Sequence, residues 1–174
     1  MNILIVESKA KCKTIERHLG RAEWRVLSTG GHIETLPHDR SKHDPKQVKK
    51  GEWAANGDSL PQPPWVWTER GEAAVRAIRN EAGKHDQVVF YLASDPDREG
   101  ERIASHLDRH LRDLGPCKRV TFQEITKAAI THAVQHPREI DQDRVDASLV
   151  RLFLDRLVGW RASRQARSGV GKGG

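Results

Sequence analysis

The chain has 174 residues, a formal net charge of +6 and 36% hydrophobic residues, which suits one α/β domain with the beginning of a second. Its two cysteines lack the C-x-x-C spacing, so neither a disulfide framework nor a zinc ribbon is supported. Because no apolar stretch approaches the length of a membrane span, we expect a cytoplasmic protein without a signal peptide or a membrane partner.

The first predicted elements are a strand and a helix. Residues 2–8, NILIVES, form an apolar run that is typical of a buried parallel strand. The following segment has apolar residues at helical spacing, with Ser8 as a candidate N-cap and Gly20 as a natural stop. A second short strand, WRVLS, precedes a turn at Gly30 and Gly31.

The next segment, residues 38–70, is predicted to be an irregular insertion. It is rich in Pro, Gly, Lys, Asp and Trp, and it shows no sustained hydrophobic period. We expect Trp53, Trp65 and Trp67 to anchor this segment by packing, although stacking on a nucleic-acid base is an alternative role.

Strands and helices alternate in the middle of the chain. Helices are predicted at residues 70–83 and 99–113 and from Thr126 onward, and strands at QVVFYLAS and CKRVTFQEI. This order predicts an α/β fold for residues 1–137, in which a Rossmann-like parallel sheet has helices on both faces.

The end of the chain is predicted to be helical and then disordered. Residues 138–162 have the spacing of a helix, which we interpret as the start of an incomplete following domain. Residues 163–174 are Gly-rich and basic, so a disordered tail is expected. Six basic residues and one acid lie from position 151 onward, which gives +5 of the net +6. Such a segment indicates either contact with nucleic acid or a solvated arm.

Acidic residues follow two of the predicted strands. Glu7 ends the first strand, and the segment YLASDPDREGE places Asp95, Asp97 and Glu99 at every second position after a later one. Ligands of open α/β sheets bind at the carboxyl ends of the strands. Several carboxylates close together stay ionised only beside a cation, and oxygen ligands at a phosphate site suit Mg²⁺. The alternative is an ordinary acidic helix start.

Five segments together resemble the Toprim region of type IA DNA topoisomerases. In chain order they are ILIVESKAKCKTI, STGGHIETLP, YLASDPDREGE, FQEIT and LDRLVGW. The resemblance covers roughly residues 2–161, with a looser fit from 38 to 70. It implies a Toprim fold, Mg²⁺ as cofactor and a single-stranded segment of DNA as partner. The family's reaction is ATP-independent breakage, passage and rejoining of one DNA strand.

The resemblance also implies roles for individual residues. Glu7 resembles the glutamate that handles the proton of the departing 3′ oxygen, and Lys11 matches the lysine that steadies the scissile phosphate. The implied metal set is Glu7, Asp95, Asp97 and Glu99. The implied DNA contacts are His32, Arg151, Arg156 and Arg161.

The chain also departs from the family pattern. Lys9 stands where proline is usual, and DASLVRL replaces the usual A-Q-x-A-R-R run, so that Arg151 is followed by Leu152. Type IA enzymes cut DNA with a tyrosine of a later domain. The single tyrosine of this sequence, Tyr91, lies inside a predicted strand. We therefore expect the missing tyrosine-bearing domains, or a partner chain, to supply the nucleophile.

These departures leave three functional interpretations. The first is the Toprim module of a topoisomerase, inactive in strand cleavage by itself. The second is a stand-alone Toprim nuclease or primase-like enzyme, which needs no tyrosine because two metal ions can activate water. The third is a non-catalytic, DNA-binding remnant.

Overall fold

The computed structural model describes residues 1–36 and 65–169, with side chains up to Asp155. Most of the predicted insertion, including Trp53, falls on residues 37–64 and lies outside the described residues. The same holds for residues 170–174 of the predicted tail.

The described residues alternate between strands and helices. The strands are β1 (Asn2–Val6), β2 (Trp24–Ser28), β3 (Glu34–Thr35), β4 (Val66–Trp67), β5 (Val89–Leu92) and β6 (Cys117–Arg119). The helices are α1 (Lys9–Leu19), α2 (Glu69–Ala82), α3 (Arg98–Leu111), α4 (Lys127–Gln135) and α5 (Gln142–Gly169).

Four strands form a parallel sheet in the order β2-β1-β5-β6. The central strand β1 pairs Leu4 with Val26 of β2 on one side and with Tyr91 of β5 on the other. Such a central strand is buried on both faces, which explains why its sequence is continuously apolar. The predicted α/β fold with a parallel sheet is confirmed.

Side chains of β1 alternate between two hydrophobic clusters. Ile3 and Ile5 pack in a cluster with residues of α2 and α3, whereas Leu4 and Val6 pack in a cluster with residues of α1 and α4. All four side chains are at most 2% exposed. Successive strand residues point to opposite faces, so helices cover both faces of the sheet, as predicted.

The helix boundaries follow local capping chemistry. Thr68 and Thr126 each accept a hydrogen bond from a backbone N–H in the first turn of the helix that follows, and α4 begins after Thr126 as predicted. Ser8 precedes α1 as expected, but its side chain makes no capping hydrogen bond. The predicted helices at 70–83 and 99–113 are α2 and α3, each displaced by one or two residues.

A two-stranded antiparallel sheet closes the segment that was predicted to be irregular. Glu34 of β3 pairs with Trp67 of β4, so regular structure is present from Val66, within the segment predicted to be irregular up to residue 70. Trp65 packs against the imidazole of His106 and Trp67 against that of His110, with centroids 4.4 and 4.3 Å apart. The two tryptophans therefore anchor the end of the segment on α3 by packing.

Helix α5 packs along α3 through Val145, Ser148 and Leu149, which are all buried. It continues to Gly169, past residue 162 and into the segment expected to be disordered. Within residues 1–36 and 65–169, none of the helices has the length and apolar character needed to cross a membrane.

A buried ionic cluster joins α3 to the end of the sheet. Glu101 is fully buried, and its carboxylate accepts hydrogen bonds from Arg119 at 3.0 Å, from the Asp141 backbone N–H at 3.1 Å and from Arg138. Burial raises the pKa of Glu101, but hydrogen bonds from Arg138 and Arg119 outweigh burial and hold that pKa below its ordinary value. The cluster is therefore an ion pair with an added cation.

The Arg119 guanidinium also binds the backbone where the strands end. It donates to the carbonyl oxygens of Leu92 at 2.9 Å, Ser94 at 2.7 Å and Asp95 at 2.8 Å. Buried carbonyl groups need a hydrogen-bond donor. The Arg119 side chain donates to all three of these carbonyls, which lie at or just after the end of β5. Arg119 thereby fixes the path of the chain that leads to the acidic segment.

We predict that Glu101→Gln lowers the free energy of unfolding by about 3 kcal/mol, because it leaves the buried Arg119 cation without a counter-charge. Urea unfolding at neutral pH, followed by circular dichroism, measures the change.

The matched control is Glu72→Gln, since Glu72 is also a first-turn acid paired with an arginine, Arg76. This pair is solvent-exposed, so its loss is expected to cost less than about 1 kcal/mol. Equal losses for the two variants would contradict the structural role of Glu101.

Candidate functional site

The carboxyl ends of β1 and β5 bring Glu7 and Asp95 together. The two strands pair in parallel, and the Ala93 N–H extends the pairing by donating to the Ile5 carbonyl at 2.7 Å. The Asp95 backbone N–H then donates to Glu7 Oε1 at 2.9 Å. Acids that are 88 positions apart in the sequence therefore share one edge of the sheet.

Lys11 faces the same edge from the first turn of α1. Its Nζ lies 3.3 Å from Asp95 Oδ1, and the two side chains are 38% and 52% exposed. An exposed pair of this kind contributes little to stability, because water competes for both charges. The lysine is therefore free to exchange its carboxylate partner for the oxygen of a bound anion.

Asp97 is the N-cap of α3. Its Oδ1 accepts a hydrogen bond from the Gly100 N–H at 2.8 Å, and its backbone is extended. One oxygen of Asp97 therefore has the helix-start role that was the alternative interpretation of the acids. Among the described residues, no protein group donates to its second oxygen.

Glu99 points toward α5 and His32. Its Oε2 accepts from Arg102 Nη2 at 2.5 Å and its Oε1 from the Ser148 hydroxyl at 2.9 Å. His32 Nε2 lies 3.3 Å from the same Oε2. Burial raises the pKa of Glu99, but the hydrogen bond and charge of Arg102, with the Ser148 hydroxyl, lower it below the ordinary value. Glu99 is therefore held ionised.

The even spacing of the acids does not put them on one face. Strand β5 ends at Leu92, and Asp97 is the N-cap, whereas Glu99 and Glu101 lie in the first turn of α3, where each residue is rotated about 100° from the last. Glu101 consequently points into the buried cluster with Arg119. Within the part of the chain that the structure describes, no three His, Cys, Asp or Glu side chains are arranged to hold a metal ion.

The acids still fit the chemistry of a divalent cation. The pKa of the Glu7 carboxyl is raised, mainly because the group is buried. The hydrogen bond from the Asp95 N–H and the charge of Lys11 lower this pKa, whereas the negative charges of Asp95 and Asp97 raise it. A cation at this edge would relieve the repulsion between the carboxylates. Carboxylate oxygens are also the ligands that Mg²⁺ prefers.

A cavity of about 380 Å³ opens beside these acids. Its lining includes the charged residues Lys11, Asp95 and Asp97 and the apolar residues Phe122 and Ile125. The cavity thus combines charged groups at the sheet edge with an apolar wall from the segment after β6. This arrangement suits a ligand that has both an anionic group and a flat or apolar part.

The predicted DNA contacts are only partly described. His32 is 40% exposed, and burial together with the charge of Arg102 lowers the pKa of its imidazole, so the ring is neutral near pH 7. Arg151 is exposed on α5 and lies 3.8 Å from Asp155. The side chains of Arg156 and Arg161 lie outside the described residues.

Tyr91 is unsuited to attack a phosphate. Its side chain is buried in β5, with 9% of the residue exposed, and packs against Trp24 at 4.9 Å between ring centroids. The prediction that this tyrosine lies inside a strand is confirmed.

Two neighbours of Glu99 were missed by the sequence analysis. Arg102 follows Glu99 by three positions on α3, and this spacing is typical of a side-chain pair on one helix face. Ser148 reaches Glu99 from α5, 49 positions away, and no local pattern indicates such a contact. Helical spacing was therefore the one usable signal.

Gly100 allows the close approach of α3 to Asp95. A Cβ atom at this position would lie 1.9 Å from the Asp95 carbonyl oxygen. The glycine is thus required by a backbone contact and is not a neutral helix residue.

Comparison with known proteins identifies a matching family and a similar solved structure. The family model for the Toprim domain matches residues 2–125. The structure of full-length topoisomerase I from Thermotoga maritima is similar, with 37% sequence identity and a TM-score of 0.67. The match covers 90% of this chain and 24% of that chain, so this chain spans about a quarter of the enzyme's length.

We predict that Gly100→Ala lowers the free energy of unfolding by about 2 kcal/mol. Alanine favours a helix by about 1 kcal/mol over glycine, but the clash with the Asp95 carbonyl outweighs this gain. Urea unfolding followed by circular dichroism measures the difference.

Gly83→Ala is the matched control, because its added Cβ would lie 3.5 Å from the nearest atom, the Arg79 carbonyl oxygen, in ordinary contact. We expect a change below about 0.5 kcal/mol for this variant. If Gly100→Ala proved equally mild, the close approach would not constrain the acidic edge.

Proposed function

Because the chain belongs to the Toprim domain family, we propose that it is the Mg²⁺-dependent, phosphate-handling module of a type IA DNA topoisomerase. The family resemblance predicted from the sequence is confirmed by the family model and by the similar structure. The whole enzyme would break, pass and rejoin one DNA strand without ATP. Since the chain spans about a quarter of its structural relative, other domains or a partner chain would complete the active site.

The contact between Glu7 and Asp95 carries this proposal. It joins two acids from neighbouring strands at the carboxyl edge of a parallel sheet, where ligands of such sheets bind. Lys11 adds a positive charge 3.3 Å from the Asp95 carboxylate. The edge thus combines carboxylates that would hold a metal ion with an ammonium group that would pair with a phosphate oxygen.

The chain's own residues suggest a division of work at the phosphate. Glu7, Asp95, Asp97 and Glu99 are the residues that would hold Mg²⁺, which when bound neutralises the charge of phosphate oxygens. Lys11 would leave Asp95 to pair with a non-bridging oxygen of the scissile phosphate. Glu7, with its raised pKa, would hold the proton that the departing 3′ oxygen takes and recover it on rejoining.

We propose that single-stranded DNA lies along α5 and the loop before β3. His32 would approach the strand beside the acids, and Arg151, Arg156 and Arg161 would contact its phosphates. Contacts of this type position the nucleic acid without reading its sequence. The cytoplasm is the expected compartment for a DNA-binding chain whose two cysteines, Cys12 and Cys117, are free thiols.

We also propose that this chain alone does not cleave DNA. Type IA cleavage needs an exposed tyrosine, and the single tyrosine of the sequence, Tyr91, is buried in β5. The acid–base and phosphate-binding half of the site is therefore present without the attacking group.

We predict that Asp95→Asn weakens binding of Mn²⁺, used as a paramagnetic substitute for Mg²⁺, by about tenfold or more. The substitution removes one negative charge and one ligand oxygen from the edge. Electron paramagnetic resonance of free Mn²⁺ measures the dissociation constant.

Asp113→Asn is the matched control, because Asp113 is also an exposed aspartate with a basic partner, Arg79, and belongs to another part of the surface. It is expected to leave Mn²⁺ affinity within about twofold. Equal binding by Asp95→Asn and the wild-type chain would contradict a metal site at this edge.

We expect the purified chain with Mg²⁺ to leave supercoiled plasmid unchanged, because it lacks an accessible tyrosine. Agarose gel electrophoresis separates supercoiled, relaxed and nicked forms. Relaxation by the chain alone would contradict the proposed division of the active site.

Two other outcomes would support the alternative functions. Metal-dependent nicking that is lost in Asp95→Asn would indicate a nuclease that uses activated water. Binding of a single-stranded oligonucleotide that is indifferent to Mg²⁺ and survives neutralisation of Asp95, Asp97 and Glu99 together would indicate a non-catalytic DNA-binding protein.

A further inference from the structure

Arg102 is a buried cation beside the acidic edge. Its side chain is 5% exposed, and Glu99 is its salt-bridge partner among the described residues. Its guanidinium carbon lies 5.9 Å from the centroid of the Trp65 ring, and Nη2 lies 3.4 Å from both ring nitrogens of His32. The arginine is therefore held from three sides, by an acid, an indole and an imidazole.

Glu99 is the acid of the proposed metal set whose two oxygens both accept hydrogen bonds within the described residues. Arg102 donates to Oε2 and Ser148 donates to Oε1. Glu7 and Asp97 each have one oxygen bonded to a backbone N–H, at 2.9 and 2.8 Å, and one oxygen without a protein donor in the described part. Glu99 thus has less capacity left for a cation than its neighbours.

If Glu99 bound a cation, Arg102 would lose its counter-charge. A buried guanidinium without a counter-charge is unfavourable, because burial removes its hydration. Lys11, which is 38% exposed, has no such constraint and can give up Asp95 to solvent or ligand. The two cations at this edge therefore differ: one is exchangeable and the other is built into the helix packing.

We propose that Arg102 is an internal counter-ion that competes with a divalent cation for Glu99 and thereby sets the Mg²⁺ affinity of the acidic edge. This inference rests on the proposed function, because it takes Glu99 as part of the metal set. Binding of the cation through Glu7, Asp95 and Asp97 leaves the Arg102–Glu99 pair intact. Use of Glu99 requires that pair to open, which lowers the observed affinity.

The test is the affinity of the purified chain for Mn²⁺ and Mg²⁺, without any measurement of activity. Arg102→Gln and Arg102→Met remove the positive charge and free one Glu99 oxygen. Each is expected to tighten Mn²⁺ binding by about tenfold, the size of effect produced by removing a unit charge a few ångströms from a cation. Electron paramagnetic resonance gives the Mn²⁺ dissociation constant, and competition gives that of Mg²⁺.

Two control variants separate charge from position. Arg112→Gln removes a positive charge just after α3, where Arg112 pairs with Asp108, and is expected to stay within about twofold of wild type. Arg102→Lys keeps the charge beside Glu99 and should bind more weakly than Arg102→Gln. Circular dichroism and thermal unfolding establish which variants are folded.

A measurement on the wild-type chain keeps the proposal testable if the neutral variants do not fold. During a Mg²⁺ titration, ¹³C carboxyl signals of Glu7 and Asp95 are expected to shift at lower Mg²⁺ concentration than that of Glu99. Simultaneous shifts of all three would overturn the proposal, because Arg102 would then not withhold Glu99.

The remaining outcomes are also decisive. Unchanged or weaker metal affinity in folded Arg102→Gln, with binding still weakened in Asp95→Asn, overturns the counter-ion role and leaves the proposed function intact. Weaker affinity would show that Arg102 positions Glu99 for the metal. If neither the wild-type chain nor the Arg102 variants bind Mn²⁺, the metal site itself is absent, and both proposals fail.

Discussion

The fully buried guanidinium of Arg119 determines the geometry on which the candidate site depends. It binds the Glu101 carboxylate of α3. It also donates to the backbone carbonyls of Leu92, Ser94 and Asp95, at and just after the end of β5. Without this cation, the carbonyls of Ser94 and Asp95 would lose their side-chain donor, and the chain after β5 would be less firmly held. The Asp95 N–H could then not be held at Glu7, so the meeting of the two acids depends on an arginine from β6.

The four acids of the segment DPDREGE have four different environments. Asp95 is exposed and pairs with Lys11, Asp97 caps a helix, Glu99 pairs with a buried arginine, and Glu101 is part of the ionic core. Asp95 and Asp97 are exposed, Glu99 is half-buried and Glu101 is fully buried, so burial increases toward α3. Part of the negative charge that this basic chain places at a strand end thus neutralises its own arginines.

Hydrophobic periodicity and the residues that cap helices or form turns were sufficient to predict the fold, because strands and helices are set by local sequence. The apolar runs predicted the strands of the sheet. Thr126 and the spacing of apolar residues in α3 predicted helix positions to within one or two residues. The family motifs indicated that Glu7, Lys11 and Asp95 belong to one site, and these three side chains lie together. The roles of those residues stay predictions.

What the sequence could not indicate were contacts made by distant side chains. The pairing of Glu101 with Arg119 and Arg138 joins three separate elements, and nothing in local composition marks it. The acids alternate in the sequence, but the helix that begins at Arg98 changes the side-chain period from two to 3.6 and turns Glu99 and Glu101 in other directions. Spacing is therefore informative only within one type of element.

The pairing of β3 with β4 makes the length of the segment between them adjustable. Glu34 and Trp67 are direct partners, so the two ends of the segment between them lie at neighbouring points. The entropic cost of closing a loop rises only with the logarithm of its length, by about 0.6 kcal/mol for each doubling. Residues 37–64 could thus be shortened, extended or replaced by a foreign module in evolution or by engineering, while the acidic edge keeps its shape.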